Sequence, residues 1–520
     1  MSPLGAVAAG HPLTAEAGAR VLREGGNAVD AAVASVLTSF VTESPLTGLG
    51  AGGFMLVHDP GKRDVLLDFF VEVPGRTIGE RRSELVPIPV YFSPESPQVF
   101  NVGAASCGVP GTAAGLAQAL ERFGSVPLAE LVRDPARLAR EGVEVNAQQA
   151  FIFQILTPIL THQPEGAAIY APAGRILGEG ELFKFPDLGE ALDRYGAEGP
   201  EPFYRGETAR RVSEWVVERG GTLGADDLAG YEPRVRDPVH ASYHGRDVLT
   251  NPPPSSGGVL IAFALSLLDL AGSSDLASVV AAMEEAQVAR TEAFFHGLYE
   301  AGFATRFLAP GRVEEAAARV RDGARPPEPG GNDRGDRLGS TTHITAVDRE
   351  GRCAAVTCSN GTGSGVIVPG TGVHVNNMLG EEDLNPLGFH VIPAGRRVTS
   401  MMSPTVVLRD GRLEAGLGSG GSNRIRSAVL QTIIRVIAEG MDAQDAVSAP
   451  RVHFEAGAVQ AEPGVAESGL DALADRGYQL VRWEDRNLFF GGVHAVVRDP
   501  ATGELSGGGD PRRGGAVAYA

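Results

Sequence analysis

Lysine is nearly missing: Lys62 and Lys184 are the two lysines among 45 basic residues, and arginine supplies the others. That bias points to no function. Cysteine is scarce as well. Cys107, Cys353 and Cys358 form no C-x-x-C pair and cannot build a disulfide framework. Cys353 and Cys358 lie in an apolar strand-like run, which favours packed thiols over reactive ones. Positive charge is outweighed: 64 acidic residues against 45 basic ones leave a net charge of −19. A nucleic-acid partner is therefore not expected. No apolar run reaches the roughly 18 residues of a membrane-spanning helix, so no membrane partner is expected either. The stretch Met1–Gly10 has no basic segment and is broken by glycine. It does not read as a signal peptide, and cytoplasmic residence is the expectation.

The composition that remains is globular, with 43% hydrophobic and 21% charged residues in a chain of 520. Such a length supports two domains or one large layered domain with an ample core. Near the start, Thr14 reads as the N-cap of a helix over 15–24 that Gly25-Gly26 ends, and Asn27 caps a second helix to about Val41. Gly48-Leu-Gly-Ala-Gly-Gly53 matches G-x-G-x-x-G in letters. A dinucleotide fingerprint needs a strand before it and a helix after it. Here a helix precedes and a strand-like Phe54–His58 follows, so no dinucleotide cofactor is expected.

Arg321–Ser340 stands apart, because eight of its twenty residues are Gly or Pro and none is aromatic or β-branched. It reads as an exposed linker. A strongly patterned strand, Thr341–Val347, follows at once, so the chain has a natural break at 340/341. Composition alone reads that break as a domain linker rather than a processing site. Asp348–Gly351 then forms a turn into a second strand-like run, Cys353–Cys358, which is a hairpin signal. If Val347 pairs with Arg352, Thr341 lies opposite Cys358; a slip of one residue puts it opposite Ser359. Glycine-rich turns follow, ending in Gly418-Ser-Gly-Gly-Ser422 before a helix-like run over 425–437. Backbone N–H groups of a glycine nest at a helix start can hold an oxyanion.

The order of these features is specific. A linker, Thr341-Thr-His343, a hairpin, Gly372-Val-His-Val-Asn-Asn377, Ser400-Met-Met-Ser-Pro-Thr405 and Gly420-Gly-Ser422 together resemble the γ-glutamyltranspeptidase family of N-terminal-nucleophile hydrolases. His11-Pro-Leu13, Gly25–Asp30, Gly52-Gly-Phe54, Gly108–Gly111, Pro254–Gly258 and Asp510–Arg513 extend the resemblance over nearly the whole chain. It turns the reading of 340/341 from a linker to a processing site.

The resemblance implies an α/β fold of the four-layer αββα sandwich type, built jointly by residues 1–340 and 341–520. It implies a proenzyme cut between Ser340 and Thr341, whose large and small fragments remain associated as a heterodimer. It implies no metal and no organic cofactor, and a small-molecule amide as substrate. Thr341 would be the nucleophile, with its freed α-amine as general base. Ser359 would be a second hydroxyl bonded to it. Gly420 and Gly421 would form the oxyanion hole, and Asn360 falls near the family's substrate-binding asparagine in a turn about two residues shorter.

The glutamyl clamp departs from the family pattern. Phe70 stands where the family has an arginine after Asp-Phe. Met378 replaces a Gln or Glu after Asn-Asn, and Met401 replaces the second of two serines beside Ser400. Glu381 keeps an acid. Losing a buried Arg–carboxylate contact typically costs a few kcal/mol, so the acyl group is either less polar than γ-glutamyl, as in cephalosporin-acylase-like members, or still γ-glutamyl in a reshaped pocket. Arg76 and Arg396 are the replacement cations nearest in sequence. The competing class is an unprocessed, non-catalytic binding relative.

Three weaker patterns are set aside. His240 and His244 have metal-pair spacing, but the strand-and-turn neighbourhood makes them structural or surface histidines. His343 is expected to be packed and hydrogen-bonded rather than tuning the Thr341 amine. Glu381, Glu382 and Asp383 read as a solvated loop or an amine-binding acid rather than a metal cluster.

Overall fold

The computed structural model describes residues 4–79, 83–93, 96–326 and 341–520. Two antiparallel sheets carry the architecture. The first runs, in spatial order, Ala516–Tyr519, Gly5–Ala9, Thr342–Asp348, Cys353–Ser359, Gly52–His58, Val65–Phe69 and Arg234–Arg236. The second runs Leu505–Gly509, Gly492–Arg498, Arg412–Gly420, Thr405–Arg409, Arg246–Thr250 and Val239–Tyr243. Strands from before and after position 340 contribute to both sheets.

Side-chain alternation divides the core. Ile344, Ala346, Ala354 and Val356 pack outward with the helix Ala28–Thr42 and its neighbours. Val347, Cys353 and Ala355 point inward, into one cluster with Ala415, Leu417, Val493 and Ala495 of the second sheet. The helices Gly257–Ala271 and Arg424–Ile437 cover the far face of that sheet. The layers are helix, sheet, sheet, helix, as the αββα expectation has it. Every residue of Ala28–Thr42 is buried, because further helices cover its outer side; this is why its sequence is apolar all round.

The first helix begins earlier than Thr14. It spans Pro12–Arg23, and His11 caps it by accepting from the Leu13 N–H. Proline pre-sets φ at the first helical position, which moves the cap to His11. Thr14 lies inside the helix, and its hydroxyl bonds Thr42 and Glu43. Asn27 does cap the second helix, in a capping box with Asp30, a device worth about 1 kcal/mol.

The hairpin takes the slipped register. Thr342 lies opposite Cys358 and Val347 opposite Cys353, which sets Thr341 beside Ser359. Asp348 explains the slip. Its carboxylate accepts from the Glu350 and Arg352 N–H groups and from Ala28 at the start of the second helix. This locks the turn one residue away from the simplest pairing.

The segment expected to open as a linker at Arg321 opens as helix. Arg321 and Asp322 close the helix Pro310–Asp322, and Arg325 is pinned to Glu284 at 2.6 Å. Residues 327–340, including Ser340, lie outside the described residues. His240 sits in a strand and His244 in the turn after it. Among the described residues no cluster could hold a metal ion, and no helix is long and apolar enough to cross a membrane.

Candidate active site

Thr341 is 6% exposed and heads the central hairpin of the first sheet. Its Oγ1 donates to Ser359 Oγ at 3.3 Å, and Ser359 Oγ also accepts the Gly361 N–H at 2.9 Å. The two hydroxyls are neighbours because the slipped register makes them so. On the carbonyl side, Arg513 donates to the Thr341 oxygen at 3.3 Å. A Cβ on Gly420 would overlap that same oxygen, so the end of the second sheet can meet the strand headed by Thr341 only through glycine. Gly421 (φ +130) and Ser422 lead directly into the helix Arg424–Ile437. A helix start of this kind carries partial positive charge.

A small hollow of 30 Å³ opens beside Thr341. Phe70, Met378, Met401, Met402, Leu384 and Ile425 supply its apolar wall; Ser359, Gly361, Glu381, Asp383, Ser400 and Ser422 supply the polar one. Phe70 stacks on Phe54 with ring centroids 5.2 Å apart. Ser400 is anchored by its main chain, whose carbonyl accepts from Ser255 and Ser256. No lysine or arginine is among the lining residues.

Burial dominates the electrostatics. Glu381 is pushed above the ordinary carboxylate range, first by desolvation and then by the nearby Asp383 charge. Glu43 rises to about 7 through desolvation, although hydrogen bonds from Thr342 and Thr14 and the Arg513 charge oppose this. Arg513 falls to about 10 for the same reason. His343 is held well below its ordinary value by burial. Thr345 donates its hydroxyl to the His494 carbonyl at 3.0 Å, so it accepts from His343 Nε2. That leaves Nδ1 to accept from Thr357 at 2.7 Å. His343 is a neutral, fully bonded core histidine, consistent with the packed reading.

Six expected residues therefore meet around Thr341: Ser359, Glu381, Ser400, Phe70, Met378 and Met401. Other expected residues lie outside the lining of the hollow. Asn360 does not line the hollow; its amide donates to the His374 carbonyl at 3.0 Å, and Gly361 takes the place beside Ser359. Gly420 and Gly421 do not line it either; Gly420 packs on the Thr341 carbonyl and Gly421 on Gly491. Arg76 and Arg396 are elsewhere, the first on Glu72 at 2.8 Å and the second over the Tyr299 ring. Glu43, Asp383 and Arg513 were not expected. Asp383, which accepts from Ser422, was visible in the acidic run 381–383. Arg513 was visible in Asp510–Arg513, but no local pattern ties it to Thr341.

The Gamma-glutamyltranspeptidase family model matches residues 14–520. The chain belongs to that family. It is 33% identical to the acylase ACY 1 proenzyme of Pseudomonas sp. strain SE83, over 97% of this chain and 91% of the relative. It is 29% identical to the glutathione hydrolase proenzyme of Escherichia coli K12, over 98% and 90%. The cephalosporin acylase of Bacillus halodurans has a similar structure, with a TM-score of 0.84 at 26% identity, covering 99% of this chain and 96% of that one. This γ-glutamyltranspeptidase-family member is thus an enzyme of the hydrolase and acyltransferase type, and the non-catalytic alternative falls away.

Proposed function

We propose that the chain is a precursor that cuts itself before Thr341 and then works as an N-terminal-threonine amidohydrolase for acyl groups less polar than γ-glutamyl. In the precursor the Thr341 hydroxyl attacks the Ser340 carbonyl. The acyl group shifts from nitrogen to oxygen, and water cleaves the ester. The new α-amine has a reference pKa near 8 and takes the proton from its own hydroxyl. Thr341 Oγ1 then attacks the substrate amide, and the amine leaves with that proton. Water or an acceptor amine releases the acyl group from Thr341.

Several features support these roles. The Ser359 hydroxyl orients Thr341 Oγ1, and β-branching restricts its χ1. The Gly421–Ser422 backbone at the helix start is suited to the developing oxyanion, with Gly420 letting the two strands approach. Both sequence relatives are named proenzymes. Because strands from both sides of position 340 interleave in each sheet, we expect fragments 1–340 and 341–520 to stay together as one composite unit. No step calls on a metal or an organic cofactor.

The observation that carries the acyl preference is the lining beside Thr341: six apolar side chains, two acids and no guanidinium. A γ-glutamyl α-carboxylate would enter without a cation partner. The hollow of 30 Å³ holds about one water, and three flexible methionines can swing aside to admit a chain. A second reading keeps γ-glutamyl compounds, with Glu381 as the acceptor for an α-amine. Purified enzyme assayed on hexanoyl, glutaryl and γ-glutamyl p-nitroanilides separates the two. We expect kcat/KM for the hexanoyl compound to exceed that for the γ-glutamyl compound by about tenfold or more. A γ-glutamyl preference would overturn the acyl assignment.

A further inference from the structure

A cleft of 420 Å³, sharing no lining residue with the hollow at Thr341, is bordered by Arg234, Arg236, Arg396 and Arg397. Beneath them lie two buried carboxylates. Asp68 takes Arg236 Nε at 2.7 Å and Arg397 Nε at 3.2 Å. Glu72 takes Arg397 at 2.7 Å, Arg234 at 3.0 Å and Arg76 at 2.8 Å. Four guanidiniums thus share two acids. Arg396 is exposed and lies over the Tyr299 ring, with no carboxylate in ion-pair reach among the described residues. Glu300, on the rim, is taken by Arg306 at 2.6 Å.

The two acids and Arg397 are buried, whereas Arg234, Arg76 and Arg236 keep 47%, 34% and 23% of their side chains exposed. The network thus carries an excess of positive charge on its exposed side, in a chain of net charge −19. At the buried base Asp68 and Glu72 outnumber Arg397, so the positive surplus lies towards the mouth of the cleft, where it draws in an anion. Guanidinium forks match tetrahedral oxyanions in geometry. The opposite wall, Pro254, Leu298 and Phe303, is apolar and leaves room for an organic body.

We propose that this cleft binds a small dianionic oxyanion: phosphate, or the phosphate group of a monoester. The site is independent of the acyl chemistry proposed above.

The test is calorimetric titration of the purified full-length protein, cut or uncut, with inorganic phosphate and with glycerol 3-phosphate. Ionic strength is held constant with sodium chloride. Saturable one-site binding with Kd of roughly 0.1–1 mM is expected. Equal affinity for the two probes assigns free phosphate; tighter glycerol 3-phosphate assigns a monoester. Arg234→Ala with Arg396→Ala weakens binding by about tenfold or more, whereas Arg396→Lys, which keeps the charge but not the fork, falls between parent and Arg396→Ala. Arg137→Ala, which pairs with Asp134 and Glu141 on the helix Arg133–Glu141, changes nothing. Should the double variant lose its parental melting temperature, Arg396→Ala alone carries the comparison, because that side chain is exposed. No saturable heat up to about 10 mM of either probe, or binding unaffected by the alanine variants, overturns the proposal.

Discussion

Thr341 and Ser359 stand at the ends of two paired strands, while Phe70, Met378, Met401 and Met402 come from the residues just past strand ends and from irregular segments. Ladder hydrogen bonds hold the first pair in place whatever their side chains are. The second group is placed by loops, so its side chains can change without disturbing the ladder. Under the proposed roles, the difference teaches how one scaffold could keep its reaction chemistry and change its acyl group: the proposed reacting atoms ride on the sheet and the proposed selecting atoms do not.

The comparison breaks hardest at Gly420. Gly420→Ala drives a methyl into the Thr341 carbonyl, and we expect amidase turnover to fall more than about 100-fold, read as kcat on the hexanoyl anilide. Retained activity would mean that the sheet end is not a fixed part of the reacting edge. On the loop side, Phe70→Arg combined with Met378→Gln should raise γ-glutamyl-anilide turnover about tenfold and lower hexanoyl turnover. Unchanged ratios would detach selectivity from these two positions. Ser359→Ala removes one orienting hydrogen bond, so a kcat loss of about tenfold with KM nearly constant is expected. A change in KM alone would move Ser359 to the acyl side.

The smallest effect concerns stability. Glu43 has a folded pKa of about 7 against an ordinary 4.5, so its neutral form is the one the fold accommodates. Its contribution is complete below about pH 4.5 and is lost as pH rises through about 7, by on the order of 3 kcal/mol at most. Glu43→Gln should therefore flatten the fall in melting temperature between pH 5 and 8. Parallel profiles for parent and variant would refute this.

Much of the layout was legible because it is local. Alternation marked the hairpin strands, Asn27 marked a cap, and glycine runs marked close approaches. Register was not decided by pattern: Asp348 binds across to Ala28, a partner 320 residues away, and this selects the pairing that joins Thr341 to Ser359. The start of the first helix was misread because Pro12 outweighs Thr14 as a start signal. Asn360 was placed by resemblance; its amide nitrogen donates to the His374 carbonyl, and its Oδ1 has no hydrogen-bond partner among the described residues. Arg76 was near Phe70, and Arg396 near Ser400, in sequence only; Arg76 pairs with Glu72 and Arg396 lies over Tyr299. Contacts through space, such as Arg513 on the Thr341 carbonyl and Glu43 on Thr342, leave no spacing signal.

The most direct test of the account is the intact mass of the purified protein beside a Thr341→Ala variant. The account predicts two fragments of roughly 35 and 19 kDa by proportion to length, the smaller starting at Thr341, and an uncut 54.2 kDa chain for the variant. A parent that stays at 54.2 kDa like its variant would leave Thr341 without a free amine and would contradict the proposed nucleophile.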